Sequence, residues 1–445
     1  MRAAEPTGPI DDSELPALFA PVERATLIAL AVSGGADSLS LLDCADRWRR
    51  RNPGTPSLLI LTVDHGLRPS SRKEAAGVVA TARSRGLEAR ILRWIGRKPK
   101  GDVEAAARAA RYHLLLSAAR EAGASHLLLA HHRDDQAETL LLRLARGSGL
   151  FGLAAMRSEI RVGEVTIVRP FLGVPRSRLR ASAAAAGLAP VEDAMNADPR
   201  FARARIRQLM PSLAAEGIDA AGLAATARRL AAAAEAIDAG AGKLLARAVA
   251  LDELAIAVVD PVLFLQAPAE LRARALVRLL LGIGGDQYPP RYERLLALLR
   301  DMEAHRGTVR FKRTLAGVVI EARRGRFLLY REVGREGLPE VRLTPGSSVV
   351  WDNRFRVDAA TGARRRLRLA ALGEGGRRAA GLRIDLKPAG AVAALPALWT
   401  GATLVAVPSI GYFAGVSGDP GVVVRSILSD RLAEPPRFPD FLAPA

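Results

Sequence analysis

A single cysteine, Cys44, stands among 445 residues. Without a second thiol the chain can form no internal disulfide and no cysteine zinc site. Cys44 falls in a helical pattern, where a lone cysteine is ordinarily a small buried residue. Lysine is also scarce, with six (Lys73, Lys98, Lys100, Lys243, Lys312 and Lys387) among 65 basic residues. Aromatic residues make up only 4%, so the cores must rest on Ala, Leu and Val. No apolar run approaches the roughly 18 residues of a membrane span. The start, MRAAEPTGPIDDSELP, has acids and prolines in place of an apolar stretch, so it does not read as a secretory signal. A cytoplasmic protein with no membrane association is expected.

What is present points elsewhere. A chain this long, 49% apolar, implies about two or three domains with sizeable cores. The formal charge is +19, which suggests a polyanionic partner. A base-composition bias explains arginine replacing lysine, but not the excess of basic residues over 46 acidic ones.

The first half alternates. Residues 27–33 read as a short buried strand, and 58–63, 88–94 and 126–130 as three further strands. Helical patterns lie between and after them, at 38–50, near 71–85, at 102–122 and near 135–146. This order predicts an α/β fold with a doubly wound parallel sheet, which binds ligands beyond the carboxyl ends of its strands. The polar clusters sit there: SGGADS after strand one, DHG after strand two, HHRDD after strand four.

Domain boundaries are expected at 1–212, 213–335 and 336–445. Residues 213–300 carry helical spacing and 308–331 alternate like strands, so the middle domain is mainly helical with a terminal hairpin. Pro345-Gly346 marks a turn near the last boundary. The remainder reads as a small mixed α/β or β-rich domain, with Gly373–Gly376 as a flexible loop.

Ser33, Gly34, Gly35, Ala36, Asp37 and Ser38 lie between a strand and a helix. Glycines let a backbone approach phosphates, and a helix N-terminus offers N–H groups and a positive dipole end. Asp37 would serve by holding a magnesium ion that meets the phosphates. The loop lacks the GxxxxGK[ST] pattern, and no lysine precedes Lys73. The plain alternative is a glycine turn with Asp37 or Ser38 as helix N-cap.

SGGADS resembles the pyrophosphate loop of the PP-loop ATP pyrophosphatases (adenine nucleotide alpha hydrolase-like), which split ATP to AMP and pyrophosphate. VDHGLRPSSRKEA (63–75), GDVEAAARAARY (101–112), LLAHHRDDQAETLLLRLARGSGLFGLAAM (128–156) and VEDAMNADPRFARARIRQLMP (191–211) are together similar to tRNA(Ile)-lysidine synthetases. The likeness is strong over about residues 25–212 and thins beyond. It implies that ATP adenylates the C2 oxygen of the wobble cytidine of tRNA(Ile) with a CAU anticodon. The amine of free lysine then displaces AMP, and the codon read changes from AUG to AUA.

On that resemblance Ser33 to Ser38, with Asp64 and His65, would bind ATP and its Mg²⁺, the ion on Asp37 and Asp135. Asp37, Asp135, His132 and Arg108 would be catalytic. Glu104, Arg108 and Arg111, on one helix face at spacings of four and three, would meet lysine or the nucleotide with His131 and Asp134. Arg143, Arg146, Arg203, Arg205 and Arg207 would contact tRNA phosphates. Each has a plainer reading: Asp134 or Asp135 as a helix cap, with Glu138 completing a box from Asp135; the arginines as solvated faces; Asp193 and Asn196 as an Asx turn. His132 and Asp135 both remain candidates for taking the amine proton.

The competing functions are a PP-loop tRNA thiolase, an amidotransferase-type synthetase and a non-catalytic RNA-binding protein. A thiolase usually needs paired cysteines, and an amidotransferase a nucleophilic one in a glutaminase part. The arginines at 364–368, 377–378 and 383 suit either tRNA contact or a solvated surface. Oligomeric state, monomer or homodimer, is left open.

Overall fold

In the first unit short strands alternate with helices. The order is α1 (Leu15–Phe19), β1 (Leu27–Ala31), α2 (Ala36–Arg51), β2 (Ser57–Asp64), α3 (Ser71–Ser84), β3 (Glu88–Arg93), α4 (Val103–Glu121), β4 (His126–Leu128), α5 (Arg133–Ala145) and α6 (Leu150–Leu153). It continues with β5 (Glu159–Val162), β6 (Val165–Val168), α7 (Arg176–Ala185), α8 (Ala202–Ala215) and α9 (Ala220–Ala248). The computed structural model describes residues 7–52, 54–96, 103–191, 198–285, 288–306, 311–363, 367–382, 387–414 and 420–433, without the side chains of Glu104 and Ala105. Two compact units divide at 234/235, within α9.

The strands of unit one form a sheet in the order β3-β2-β1-β4-β6-β5. All neighbours are parallel except β5, which pairs antiparallel with β6. Period-two alternation sorts the side chains between two cores. Ile28 and Leu30 of β1, with Leu58 and Ile60 of β2, join Leu39 and Leu42 of α2 on one face. Ala29, Leu59 and Leu61 join Tyr112 and Leu115 of α4 on the other. Each fully buried Leu or Ile contributes about 1.5–3 kcal/mol, so this alternation is the main term that holds both helical layers to one sheet. Chain progression reverses between β1 and β4, and a crevice opens at such a switch point.

The N-terminal segment is stapled across this layer. Arg178 of α7 donates to both carboxylate oxygens of Glu14 (2.9 and 2.6 Å) and to the carbonyls of Gly8 and Pro9. The Arg178 hydrogen bond holds the Glu14 carboxyl below its ordinary value of 4.5.

Unit two adds β7 (Val249–Leu251), β8 (Ala257–Val259), α10 (Pro261–Leu265), α11 (Ala269–Gly284), α12 (Tyr292–His305), β9 (Lys312–Leu315), β10 (Val318–Arg323) and β11 (Arg326–Arg331). These strands form the sheet β7-β8-β11-β10-β9. Then come β12 (Val341–Leu343), β13 (Ser348–Trp351), β14 (Phe355–Ala359), β15 (Leu367–Ala371), α13 (Gly373–Ala379), α14 (Ala389–Ala393), β16 (Pro396–Thr400), β17 (Thr403–Val407), β18 (Tyr412–Phe413), β19 (Val422–Ser426) and α15 (Leu428–Ala433). They make two antiparallel sheets, β12-β15-β16-β17-β18 and β13-β14-β19. One apolar cluster runs through the unit from Ala241 to Leu432.

Charge is buried here in pairs. Arg274 of α11 makes a two-pronged bond to Asp238, with both side chains almost fully covered. Arg354 is buried on the Phe355 and Trp351 rings and donates to Asp352 at 2.7 Å. Burial still pushes its guanidinium down to about 10.

The α/β class, the helical middle region and the β-rich end match expectation. Four details differ. β4 stops at Leu128, and Leu129 donates its N–H to Val168 of β6. The helix after it starts at Arg133, earlier than expected. The stretch 213–300 contains β7 and β8 besides its helices. Gly373–Gly376 opens helix α13 instead of a loop. A Cβ on Gly376 would lie 2.9 Å from Trp399, so this glycine serves close packing.

Removing the Asp238 carboxylate leaves the Arg274 charge buried and unpaired. Asp238→Ala should therefore destabilise unit two by about 3–5 kcal/mol, read as a lower urea midpoint. Adding Arg274→Met to it should recover most of that loss. The Glu14 contribution has the opposite pH sense to a histidine's: it is present above the ordinary value of 4.5 and lost as pH falls through the lower folded value. The melting temperatures of wild type and Glu14→Gln should thus differ at pH 7 and converge in acid.

Candidate active site

The crevice is bordered by the turn from β1 to α2. Gly35 occupies the N-cap of α2, so no side chain caps that helix among the described residues and its first-turn N–H groups stay available. Neither Asp37 nor Ser38 takes the cap. The Ser38 hydroxyl instead braces the loop: it donates to the Gly35 carbonyl at 3.0 Å and accepts the Ser33 N–H at 3.1 Å. Gly34 has φ +90°, and a Cβ there would meet Val78 at 3.3 Å. The positive φ favours glycine, and a side chain there would also have to push Val78 aside.

α5 enters the same crevice from β4. Its N-cap is His132, whose Nδ1 accepts the Asp135 N–H at 3.3 Å while the Asp135 carboxylate accepts the His132 N–H at 3.1 Å. The reciprocal box therefore begins at His132, not at Asp134 or Asp135. Because Nδ1 accepts, Nε2 carries the ring proton and faces Asp37 and Asp135, each at 3.5 Å. Burial would lower the His132 pKa, but Asp135, Asp37 and Asp134 outweigh it and raise it. Burial would likewise raise Asp37, but the His132 hydrogen bond and the charges of His132, Arg176 and Arg180 bring it below the ordinary range. Asp37 Oδ1 is buried and accepts no hydrogen bond.

His131, the adjacent residue, has an opposite environment. Its Nδ1 accepts from the buried Arg169 at 3.3 Å. Burial, then the charges of Arg169, Arg108, Arg203 and Arg111, push it well below the ordinary histidine value. One histidine thus sits among carboxylates and its neighbour among guanidiniums.

A cavity of about 680 Å³ opens beside the loop, with Ser33, Gly35, His65, Arg108, Arg111 and Arg207 in its wall. Arg108 and Arg111 of α4 both lie over the Tyr112 ring, at 5.6 and 5.4 Å. Burial lowers the Arg108 pKa. Arg207 of α8 makes a two-pronged bond to the buried Glu138, at 2.7 and 3.0 Å, and Arg203 approaches the same carboxylate at 3.3 Å.

The expected residues therefore sort by environment. Ser33 to Ser38, His132 and Asp135 converge at the crevice, while His65, Arg108, Arg111, Arg203 and Arg207 line the cavity. Asp64 is occupied, accepting from Ser71 at 2.6 Å and from the Gly66 N–H, which together lower its pKa. Asp134 accepts the Arg176 N–H at 3.0 Å. Arg143 donates to the carbonyls of Gly152 and Ala155, and Arg205 to those of Pro199 and Arg200. Arg146 is exposed. The side chain of Glu104, and Asp193, Asn196, Arg364–Arg366 and Arg383, lie outside the described residues. Arg368 bonds Glu340, and Arg377 bonds Glu374.

Three residues escaped the sequence reading: Glu138 beyond its capping role, Arg169 and Arg176. Arg169 follows β6 and Arg176 opens α7, and neither motif spacing nor periodicity marks them.

Glu138 is buried against two arginines. Glu138→Ala should cost about 3 kcal/mol in urea unfolding. A double-mutant cycle with Arg207→Ala should return a coupling of roughly 1–3 kcal/mol, whereas purely additive losses would contradict the pairing.

Against known proteins, a model of the PP-loop domain matches residues 9–213. The tRNA(Ile)-lysidine synthase of Rhodopseudomonas palustris is 45% identical over 338 residues, 74% of this chain and 97% of that one. That of a Bradyrhizobium species is 46% identical over 330 residues, 70% of this chain and 92% of that one. That of Ruegeria pomeroyi is 37% identical over 392 residues, 86% of this chain and 88% of that one. A sheet built from both sides of a switch point, its phosphate-type loop and these relatives agree: the chain belongs to the tRNA(Ile)-lysidine synthase family.

Proposed function

We propose that this chain joins free lysine to C2 of the wobble cytidine of a tRNA(Ile) with a CAU anticodon, through an adenylated cytidine. It is an ATP-dependent ligase that forms a carbon–nitrogen bond, and ATP is split to AMP and pyrophosphate. The observation that carries the reading is the uncapped start of α2 beside Asp37, opening onto a cavity walled by arginines of α4 and α8. The loop 33–38 takes the phosphates, and the cavity takes the nucleotide and lysine. Arg108, Arg111, Arg203 and Arg207 face the anionic groups there, the lysine carboxylate and the nucleotide phosphate.

Asp37 fits a Mg²⁺ ion, because Oδ1 is buried without a hydrogen bond. Among the described residues no three His, Cys, Asp or Glu side chains form a complete metal site. One carboxylate plus substrate phosphates is the usual way magnesium is held. Bound there, it would neutralise phosphate charge as pyrophosphate leaves. Asp135 has one oxygen engaged in the α5 cap; the other lies 3.9 Å from Arg207 in the cavity wall. We assign Asp135 the proton from the lysine amine on geometry: its second oxygen lies beside Arg207 of the cavity wall, whereas His132 Nδ1 is taken up by the Asp135 N–H and Nε2 faces Asp37 and Asp135. His131 and Asp134 serve as positioning groups around this chemistry, and Glu104 is proposed as a substrate-side group on the family likeness alone.

The thiolase reading loses support, because Cys44 is buried, without a second cysteine, and burial pushes its thiol up to about 11. Residues 213–335 would present the anticodon loop, and 336–445 with Arg143, Arg146 and Arg205 would meet the tRNA body. No helix among the described residues is long and apolar enough to cross a membrane, in keeping with action on tRNA in the cytoplasm.

Purified protein with ATP, Mg²⁺, radiolabelled lysine and a CAU-anticodon tRNA(Ile) transcript should retain label in the RNA. Replacing the wobble cytidine by uridine should abolish it. Asp37→Ala should lose at least about 100-fold in rate while binding tRNA normally. ATP cleavage without lysine incorporation would reject the proposed substrate.

A further inference from the structure

ATP carries several negative charges, yet the loop 33–38 has no lysine near it in sequence, the first being Lys73. The cation facing the loop comes from another part of the chain. Arg176 is the first residue of α7, and its Nε lies 3.9 Å from Asp37 Oδ2. That Nε is buried and donates no hydrogen bond. So the crevice holds two buried atoms without a hydrogen bond on neighbouring side chains, the acceptor Oδ1 of Asp37 and the donor Nε of Arg176. Leaving a buried donor without a hydrogen bond is costly, and a bound anion would relieve that cost.

α7 cannot easily swing away. The Ser40 hydroxyl of α2 donates to the Leu179 carbonyl, Ser182 accepts the Ile10 N–H at 2.8 Å, and the Arg176 N–H is held by Asp134. Arg178 is committed to Glu14. Arg180 lies one helical turn after Arg176 on the same face and is exposed. Its charge acts on Asp37 as well.

We infer that Arg176, backed by Arg180, grips the β- and γ-phosphates of ATP and the departing pyrophosphate. When an oxygen nucleophile bonds to the α-phosphorus, the bond from that phosphorus to the α–β bridging oxygen breaks. The electron pair stays on that oxygen, and pyrophosphate leaves with the added charge. A guanidinium with free N–H donors meets that charge directly. This assignment rests on reading residues 33–38 as the phosphate loop.

The test is calorimetric titration of the full chain, with Mg²⁺, by inorganic pyrophosphate, ATP and AMP. Arg176→Ala should weaken pyrophosphate and ATP about 10- to 100-fold and leave AMP within about twofold. Arg176→Lys should recover part of the loss. Arg176→Gln, which keeps the aliphatic stem, serves if the alanine variant melts early. Unchanged pyrophosphate affinity in a folded variant would overturn the assignment and leave the loop reading intact. Equal weakening of AMP and pyrophosphate would reduce Arg176 to a support for Asp37. A wild-type chain that binds AMP but no pyrophosphate would overturn the loop reading itself, and this inference with it.

Discussion

The first turn of α2 begins at a glycine, and its N–H groups have no side-chain cap among the described residues. Helix ends are ordinarily satisfied by Ser, Thr, Asp or Asn at that position. Here the two nearby serines are turned on each other and on the Gly35 carbonyl, so they stiffen the loop, taking up the Ser33 N–H but none of the first-turn N–H groups of α2. The positive end of a sixteen-residue helix is thereby left facing the crevice. Asp37 sits in that first turn, with His132 and Arg176 beside it. An acidic group beside an anion site is tolerable only with cations around it.

Arginine does two separate jobs in this chain. Arg178, Arg274 and Arg354 are buried structural pieces, each with a carboxylate partner. Arg108, Arg111, Arg203 and Arg207 line a cavity. Glu138 holds two of them from behind. The arginines thus do not form a uniformly basic surface: some are neutralised inside by carboxylates, and others gather at the cavity.

The paired histidines are a case where neighbours in sequence part in chemistry. His131 and His132 follow the same short strand, but one ring accepts from Arg169 and the other sits between Asp37 and Asp135. Opposite fields drive their pKa values apart, His131 downward among guanidiniums and His132 upward among carboxylates.

The sequence by itself determined the element order, the class of sheet and the position of the loop. Alternating apolar runs, helical periods and Gly34-Gly35 are local signals, and local sterics read them directly. Tertiary structure alone decided which strand ends meet, because β1 and β4 become neighbours only when the sheet winds both ways. It also decided that the cap of α5 is His132, and that Arg143 turns to carbonyls while Arg203 and Arg207 turn to Glu138. Arg176 and Arg169 could not be read from spacing at all, since their partners lie in other motifs. A charged side chain announces its charge in the sequence, but its role depends on what the fold puts within a few ångströms of it, and Coulomb energy and desolvation are set at that range.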